Sequence, residues 1–262
     1  MIRSPLGLRL HSDRPIREQM RQAATLGAKG VVLDAVGDFS PDQLGETARR
    51  EVRHLLRSVE LSLVALCLPT RRPFDTTDGL EDRLAKADRA LELAHALGTN
   101  LVLARVGPIP SDEEVLKKVA MRTAVTELGN LADHRGVSFT VETGTESGKV
   151  LGDFLQGLGL PTLAASVDPA RLLSAGLDPI EAVTSLGPLV RHAYASDPRT
   201  IGRPSVITTT RNQGFPPGSL DWEAFLGCLE EVNYRGFLTV PADPNVDPAK
   251  MFGTVMDRVK DF

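Results

Sequence analysis

Apolar positions along the chain follow two alternating patterns. Short runs of consecutive apolar residues, as in strands buried on both faces, give way to longer stretches where apolar residues recur every three to four positions, as in helices with one face on a core. The first run is 6–10, and Asp13-Arg14-Pro15 then opens a helix to about Leu26, closed by Gly27 and Gly30. Proline is tolerated in that first turn because its N–H would have no intrahelical partner. Val31, Val32 and Leu33 form the second strand, and Ser40-Pro41 predicts the start of a helix with Leu44, Ala48, Val52, Leu55 and Val59 on one face. A third strand over 61–68 stops at Pro69, Leu80, Leu84, Ala87 and Leu91 mark a helix ended at Gly98, and 101–104 is the fourth strand. Ser111 and Glu114 have capping-box spacing and predict a helix from there to about His134, ended by Gly136.

The second half keeps the rhythm. It predicts a strand over 138–141, a weaker helix over 147–158, a strand over 163–167, a short helix over 179–186 and a strand over 189–195. A loop rich in glycine and proline follows over 198–218, then a helix from its cap Asp221 to Val232, a strand over 237–240 and a last helix over 248–260. Eight strands alternating with helices in a chain of 262 residues predict an α/β fold, a parallel (β/α)8 TIM barrel. The rival, a doubly wound open sheet, lacks a Gly-x-Gly-x-x-Gly after the first strand, and no Walker sequence appears. With no linker or low-complexity stretch, one domain over 1–262 is expected.

Composition narrows the partners. Aromatic residues are only 5%, and 30 Lys+Arg stand against 34 Asp+Glu. A stacking platform or basic face for nucleic acid is therefore not expected. Cys67 and Cys228 are far apart and form no metal-type spacing, which predicts reduced thiols and a cytoplasmic protein. Arg3, Arg9 and His11 interrupt the N-terminal apolar run, so no secretory leader is expected. No stretch approaches the roughly 20 apolar residues of a membrane span.

In a barrel the chemistry sits where strands end and βα loops begin. The polar residues there are His11, Asp34, Cys67, Arg105, Glu142, Asp168, Arg171, His192, Tyr194, Asp197 and Asp243. Period two puts Thr140 and Glu142 on one strand face and Phe139 and Val141 on the other. The apolar face meets the helices, so Glu142 points into the barrel mouth. Asp168 shares a face with Ala164 and Ser166 by the same rule. Two such carboxylates can hold a hard divalent cation or share proton transfer, and they can equally cap loops or pair with Arg105 and Arg171. Cys67 has no evident activating partner, so core packing is expected of it.

Several motifs in the second half carry a resemblance. They are Val141-Glu142, Asp168-Pro169-Ala170-Arg171, Gly176-Leu177-Asp178-Pro179, His192-Ala193-Tyr194-Ala195-Ser196-Asp197, Pro217-Gly218-Ser219-Leu220-Asp221-Trp222 and Asn233-Tyr234-Arg235-Gly236. In order and spacing, about 137–240 resembles the xylose isomerase-like barrel superfamily of sugar isomerases, ketose 3-epimerases, inosose dehydratases and an endonuclease branch. The first half matches only in its βα rhythm. The resemblance implies a metal held by Glu142 and Asp168, with third and fourth ligands at positions that are Tyr194 and Pro241 here, and a substrate-binding histidine where Arg171 stands. Two carboxylates and waters can still hold Mg²⁺ or Mn²⁺ weakly. Asp243 is a substitute fourth ligand only if the strand end bends.

Three readings follow. The first is an isomerase or epimerase of a sugar or sugar phosphate, with metal dependence altered or lost. The second is a metal-free lyase or isomerase with Glu142 as base and Arg171 as electrostatic stabiliser, replacing the metal's charge or binding an anionic substrate oxygen. The third is a non-catalytic small-molecule binder. In the enzyme readings Glu142, Asp168 and Arg171 carry the chemistry, and His11, Arg105, His192 and Tyr194 line the substrate pocket. Arg71, Arg72, Arg199, Arg203 and Arg211 fall on predicted loops at the same end, where clustered arginines suit a phosphate or carboxylate. The expected partner is a small sugar or anion, with self-association left open.

Overall fold

Leucines at 6, 8 and 10 pack in the layer beneath the helices, so the residues between them, Gly7 and Arg9, face the opposite way. The same alternation on each strand bends the sheet around a filled interior. In the computed structural model, which describes residues 4–198 and 219–260, eight parallel strands close into a barrel in sequence order. They are β1 (Leu6–Arg9), β2 (Gly30–Asp34), β3 (Ser62–Leu68), β4 (Leu101–Ala104), β5 (Ser138–Glu142), β6 (Leu163–Val167), β7 (Val190–Tyr194) and β8 (Leu238–Val240). β8 returns to pair with β1, Thr239 beside Gly7, and closes the ring. Around it lie α1 (Ile16–Thr25), α2 (Glu46–Ser58), α3 (Leu80–Leu97), α4 (Val115–Arg135), α5 (Gly148–Gln156), α6 (Pro169–Ser174), α7 (Pro179–Leu186), α8 (Trp222–Glu231) and α9 (Pro248–Val259). The barrel expected from the apolar pattern is the observed fold.

Two apolar regions result. The larger fills the space between strands and helices, with Phe74, Phe139, Phe225 and Phe252 among its fully buried members. The smaller lies inside the barrel and comprises Val32, Val64, Ala65, Cys67, Leu103 and Tyr194, with Phe237 against it. At the lower end Phe237 and Val64 fill the barrel axis. A Cβ on Gly30 would fall 2.7 Å from Phe237 and 2.6 Å from Val64, so only glycine leaves them room. Above them the interior turns polar: Thr140, Ser166, His192 and Thr239 are fully buried.

Local chemistry explains where helices begin. Asp168, Asp178 and Asp247 each precede proline, each accepts a backbone N–H on its side chain, and each starts a helix. The first of these, α6, was not expected, although its Asp-Pro signal matches the other two. Asp221 caps α8 as predicted. The second helix begins at Glu46 rather than Ser40. The backbone closes one turn from Ser40 to Leu44, Gly45 is extended, and the helix starts afresh. α4 likewise begins at Val115. Glu114 accepts the Ser111 N–H at 3.2 Å, but this contact closes the turn before the helix instead of its first turn. The predicted loop over 198–218, with Arg199, Arg203 and Arg211, lies outside the described residues apart from Pro198. No described helix is long and apolar enough to cross a membrane.

Candidate functional site

Arg9 is the last residue of β1, and its inward direction sends a guanidinium into the barrel mouth. Its Nε donates to Asp34 Oδ1 at 3.0 Å, its Nη1 to the Tyr194 hydroxyl at 3.0 Å and its Nη2 to Cys67 Sγ at 3.0 Å. Nη1 also lies 3.9 Å from Glu142 Oε1. Burial pulls this guanidinium down, yet Cys67, Tyr194, Asp34 and Glu142 outweigh it and hold the group well above the ordinary arginine value. Burial also pushes the Cys67 thiol and Tyr194 phenol up, so both stay protonated at neutral pH. The charges that hold Arg9 are therefore those of Asp34 and Glu142. Sequence reasoning passed over Arg9, treating it only as a break in an apolar run. The period-two rule that turned Glu142 inward applies equally to Arg9 among Leu6, Leu8 and Leu10.

Glu142 ends β5 with its side chain only 6% exposed. The Tyr194 hydroxyl donates to its Oε1 at 2.8 Å, and Arg105 Nε approaches its Oε2 at 3.2 Å. Burial alone would push this carboxyl up; Arg9, Arg105 and the Tyr194 hydrogen bond overcome it and hold the group below the usual carboxylate range. Glu142 is thus a buried carboxylate kept ionised between two guanidiniums.

Beneath this layer His192 is fully buried, with Nδ1 2.8 Å from Ser166 Oγ and Nε2 2.9 Å from Thr239 Oγ1. Its ring meets the Tyr194 ring edge-on at 4.7 Å. His192 was expected to line the substrate pocket. The structure instead places it in the barrel interior, both nitrogens engaged, supporting Tyr194 from below. Burial pushes its pKa down to about 3. A group that protonates more readily unfolded than folded draws the chain toward the unfolded state as pH falls below its ordinary value. Between pH 6.5 and about 3 His192 should remove stability at up to about 1.4 kcal/mol per pH unit. His11, also lowered by burial, adds in the same direction. Below pH 4.5 protonation of Glu142 adds a further loss. Urea unfolding at steps from pH 7 to 4 checks this: His192→Gln should flatten the slope across the range, leaving what His11 and, below pH 4.5, Glu142 contribute.

Asp168, just beyond β6, caps α6. Its Oδ1 accepts the Arg171 N–H at 3.3 Å and the Ser196 hydroxyl at 2.7 Å, and its own N–H donates to Thr143 Oγ1 at 3.0 Å. Asp197 Oδ2 accepts the Leu220 N–H at 2.8 Å and so anchors the chain entering α8. His11 lies past the end of β1, its backbone clamped on both sides by the Gln19 amide at 2.8 and 2.9 Å. Its Nε2 is buried without a hydrogen-bond partner among the described residues. Arg105 and Arg171 line a cavity that also has Glu142 in its wall. The sequence-derived residues therefore gather at one end of the barrel, with His192 a layer below.

The metal implied by the family resemblance can be tested on the groups at its four ligand positions. Tyr194 spends its proton on Glu142 and accepts from Arg9, Asp168 Oδ1 is engaged as a cap, and Pro241 has no side-chain donor. Among the described residues no three of His, Cys, Asp and Glu come together as a cation site. A fixed guanidinium contacting Tyr194 and lying close to Glu142 would also repel a divalent ion. This donor set does not fit a divalent metal.

Comparison with known proteins gives the wider setting. A protein-family model described as Xylose isomerase-like TIM barrel matches residues 20–260. A xylose isomerase domain protein from Planctomyces limnophilus superposes with a TM-score of 0.81 at 18% identity, covering 98% of this chain and 96% of that one. D-psicose 3-epimerase from Clostridium cellulolyticum H10, solved with D-tagatose, gives 0.75 at 12%, covering 98% and 97%. A 3-keto-D-glucoside 4-epimerase from E. coli gives 0.76 at 15%, covering 99% and 100%. Identities this low establish a shared fold. No curated protein matches the sequence.

Proposed function

Because the chain belongs to the xylose isomerase-like TIM barrel family, we propose that it moves a proton next to the carbonyl of a small sugar or sugar derivative, as an isomerase or epimerase working without a metal. The observation that carries this reading is Glu142, a buried, ionised carboxylate at a strand end, held by Arg9, Arg105 and Tyr194. Glu142 is the proton acceptor. Held this low it is a weak base, and half-exposed Arg105 supplies the remedy. A substrate oxygen that takes the Arg105 guanidinium withdraws one cation from Glu142, raising its basicity as the substrate seats. The same guanidinium then faces the negative charge that grows on the carbonyl oxygen. Arg9 stays in place as a fixed cation, and Asp168 offers its remaining carboxylate oxygen to a substrate hydroxyl.

A second reading, a barrel that binds a small molecule without turning it over, draws on one observation: Glu142 already has partners on both oxygens. One experiment separates the two. Ketoses, aldoses, 3-keto-glucosides and sugar phosphates are incubated with the protein in D2O containing EDTA, and loss of the proton signal beside the carbonyl is followed by NMR. Exchange of at least one compound, undiminished by EDTA, is expected. Exchange that starts only after Mg²⁺ or Mn²⁺ is added would overturn the metal-free reading. Ligand binding with no exchange at all would make the protein a binder.

A further inference from the structure

We infer that the cavity beside Glu142 is an oxyanion subsite that takes a phosphate or carboxylate group on the substrate, an inference that deepens the proton-transfer reading above and rests on it. The cavity holds about 270 Å3, and Arg71, Arg72, Arg105 and Arg171 all line it, with Glu142 the one carboxylate in its wall among the described residues. These guanidiniums arrive from three places: the loop after β3, the end of β4 and helix α6. Their convergence is built in. Thr70 Oγ1 donates to the Arg105 carbonyl at 2.7 Å and the Phe74 N–H to the Val106 carbonyl at 2.7 Å, tying the β3 loop to the β4 loop. Gly107, with a φ of +100°, packs flat on Pro73; a Cβ there would fall 2.3 Å from the proline ring. No side chain fits between the two loops, and Arg105 is held alongside Arg71 and Arg72.

The described carboxylates leave Arg71 without a counter-charge. Arg105 meets Glu142, Arg72 meets Asp78 at 2.6 Å and Arg171 lies in the field of Glu146, while Arg71 has no carboxylate partner among the described residues. Guanidiniums gathered in one cavity repel each other until an anion lies between them, and their planar forks match the paired oxygens of a phosphate or carboxylate. A second cavity of about 610 Å3 shares Arg71 and Arg72 and adds Arg83 and Lys86 against one carboxylate, Asp82, leaving a net positive field on that side. The small volume beside Glu142 falls just below the usual range for ligand sites, which fits an anionic group and a few carbons. With Glu142 in the same wall, the anion and the reacting carbon belong to one compact molecule.

The test is calorimetric titration at low ionic strength with inorganic phosphate and with malonate as separate probes. At least one is expected to bind one-to-one and to weaken tenfold or more in Arg71→Gln and in Arg171→Gln. Arg71 is exposed, so its variant should fold normally, and circular dichroism monitors both. Glu142→Gln should keep or tighten the binding, because it removes the one negative group from the wall. Phosphate binding with malonate silent identifies a phosphate ester, and the reverse identifies a carboxylic acid. Failure of both probes, or binding undiminished in the Arg71→Gln/Arg171→Gln double variant, would overturn the subsite. If a neutral ketose still exchanges its proton in that event, the proton-transfer reading survives. If the anion binds and no carbonyl compound exchanges, the subsite stands and proton transfer falls.

Discussion

Replacing Glu142 with glutamine is expected to slow proton exchange beside the substrate carbonyl by about 10²- to 10⁴-fold, the range that a positioned general base contributes. Glutamine has nearly the same shape, and its carbonyl oxygen can still accept from Tyr194 or Arg105. What it cannot do is take up a proton. The change leaves Arg9 with Asp34, whose Oδ1 is 2.8 Å from Nη2, so the buried guanidinium keeps one counter-charge and the barrel should fold. The measurement is the NMR exchange rate for the best substrate of the screen, with urea unfolding of the same samples to verify the fold. An exchange rate equal to that of the native protein in a folded Glu142→Gln sample would remove Glu142 from the chemistry.

Arg9→Met is expected to cost about 3–5 kcal/mol of stability, the loss that follows when one member of a buried ion pair is removed and the other remains charged. Methionine fills similar length without charge. Glu142, 6% exposed, then keeps the Tyr194 hydroxyl and half-exposed Arg105, while Asp34 loses both Arg9 contacts and Tyr194 loses its donor. A loss of this size is a large part of the 5–15 kcal/mol that ordinarily holds a domain folded. The double variant Arg9→Met/Glu142→Gln should be more stable than Arg9→Met alone, because it removes the stranded charge. Urea midpoints of the four proteins in this cycle give the coupling directly. A small Arg9→Met effect, or effects that simply add, would mean that solvent already compensates Glu142 and that Arg9 is not the fixed cation of the site.

Much of this was legible before any coordinates. Burial on both faces makes a strand a short apolar run and burial on one face makes a helix a three-to-four repeat, so eight alternations of the two specify the barrel. Helix ends were readable where a side chain or a left-handed glycine satisfies orphaned backbone groups, as at Asp221, Gly98 and Gly136. They were misread at Ser40 and Ser111, where one turn closes and the chain then breaks before the helix starts. Period two also gave the inward direction of Glu142. It held the same information for Arg9, hidden because a charge inside an apolar run reads first as an interruption.

Alternation along a strand determines which way a side chain points and whether its surroundings are apolar, and both follow from a few neighbouring residues. Which groups then meet is decided by closure of the ring, which brings residues 185 apart, Arg9 and Tyr194, to 3.0 Å. The sequence by itself determined the barrel and the end at which its polar groups collect. Only the tertiary structure decided that a guanidinium and a phenol occupy the centre with Glu142, and that arginines from three separate segments share one cavity, because those distances depend on strand register and loop packing that no local pattern encodes.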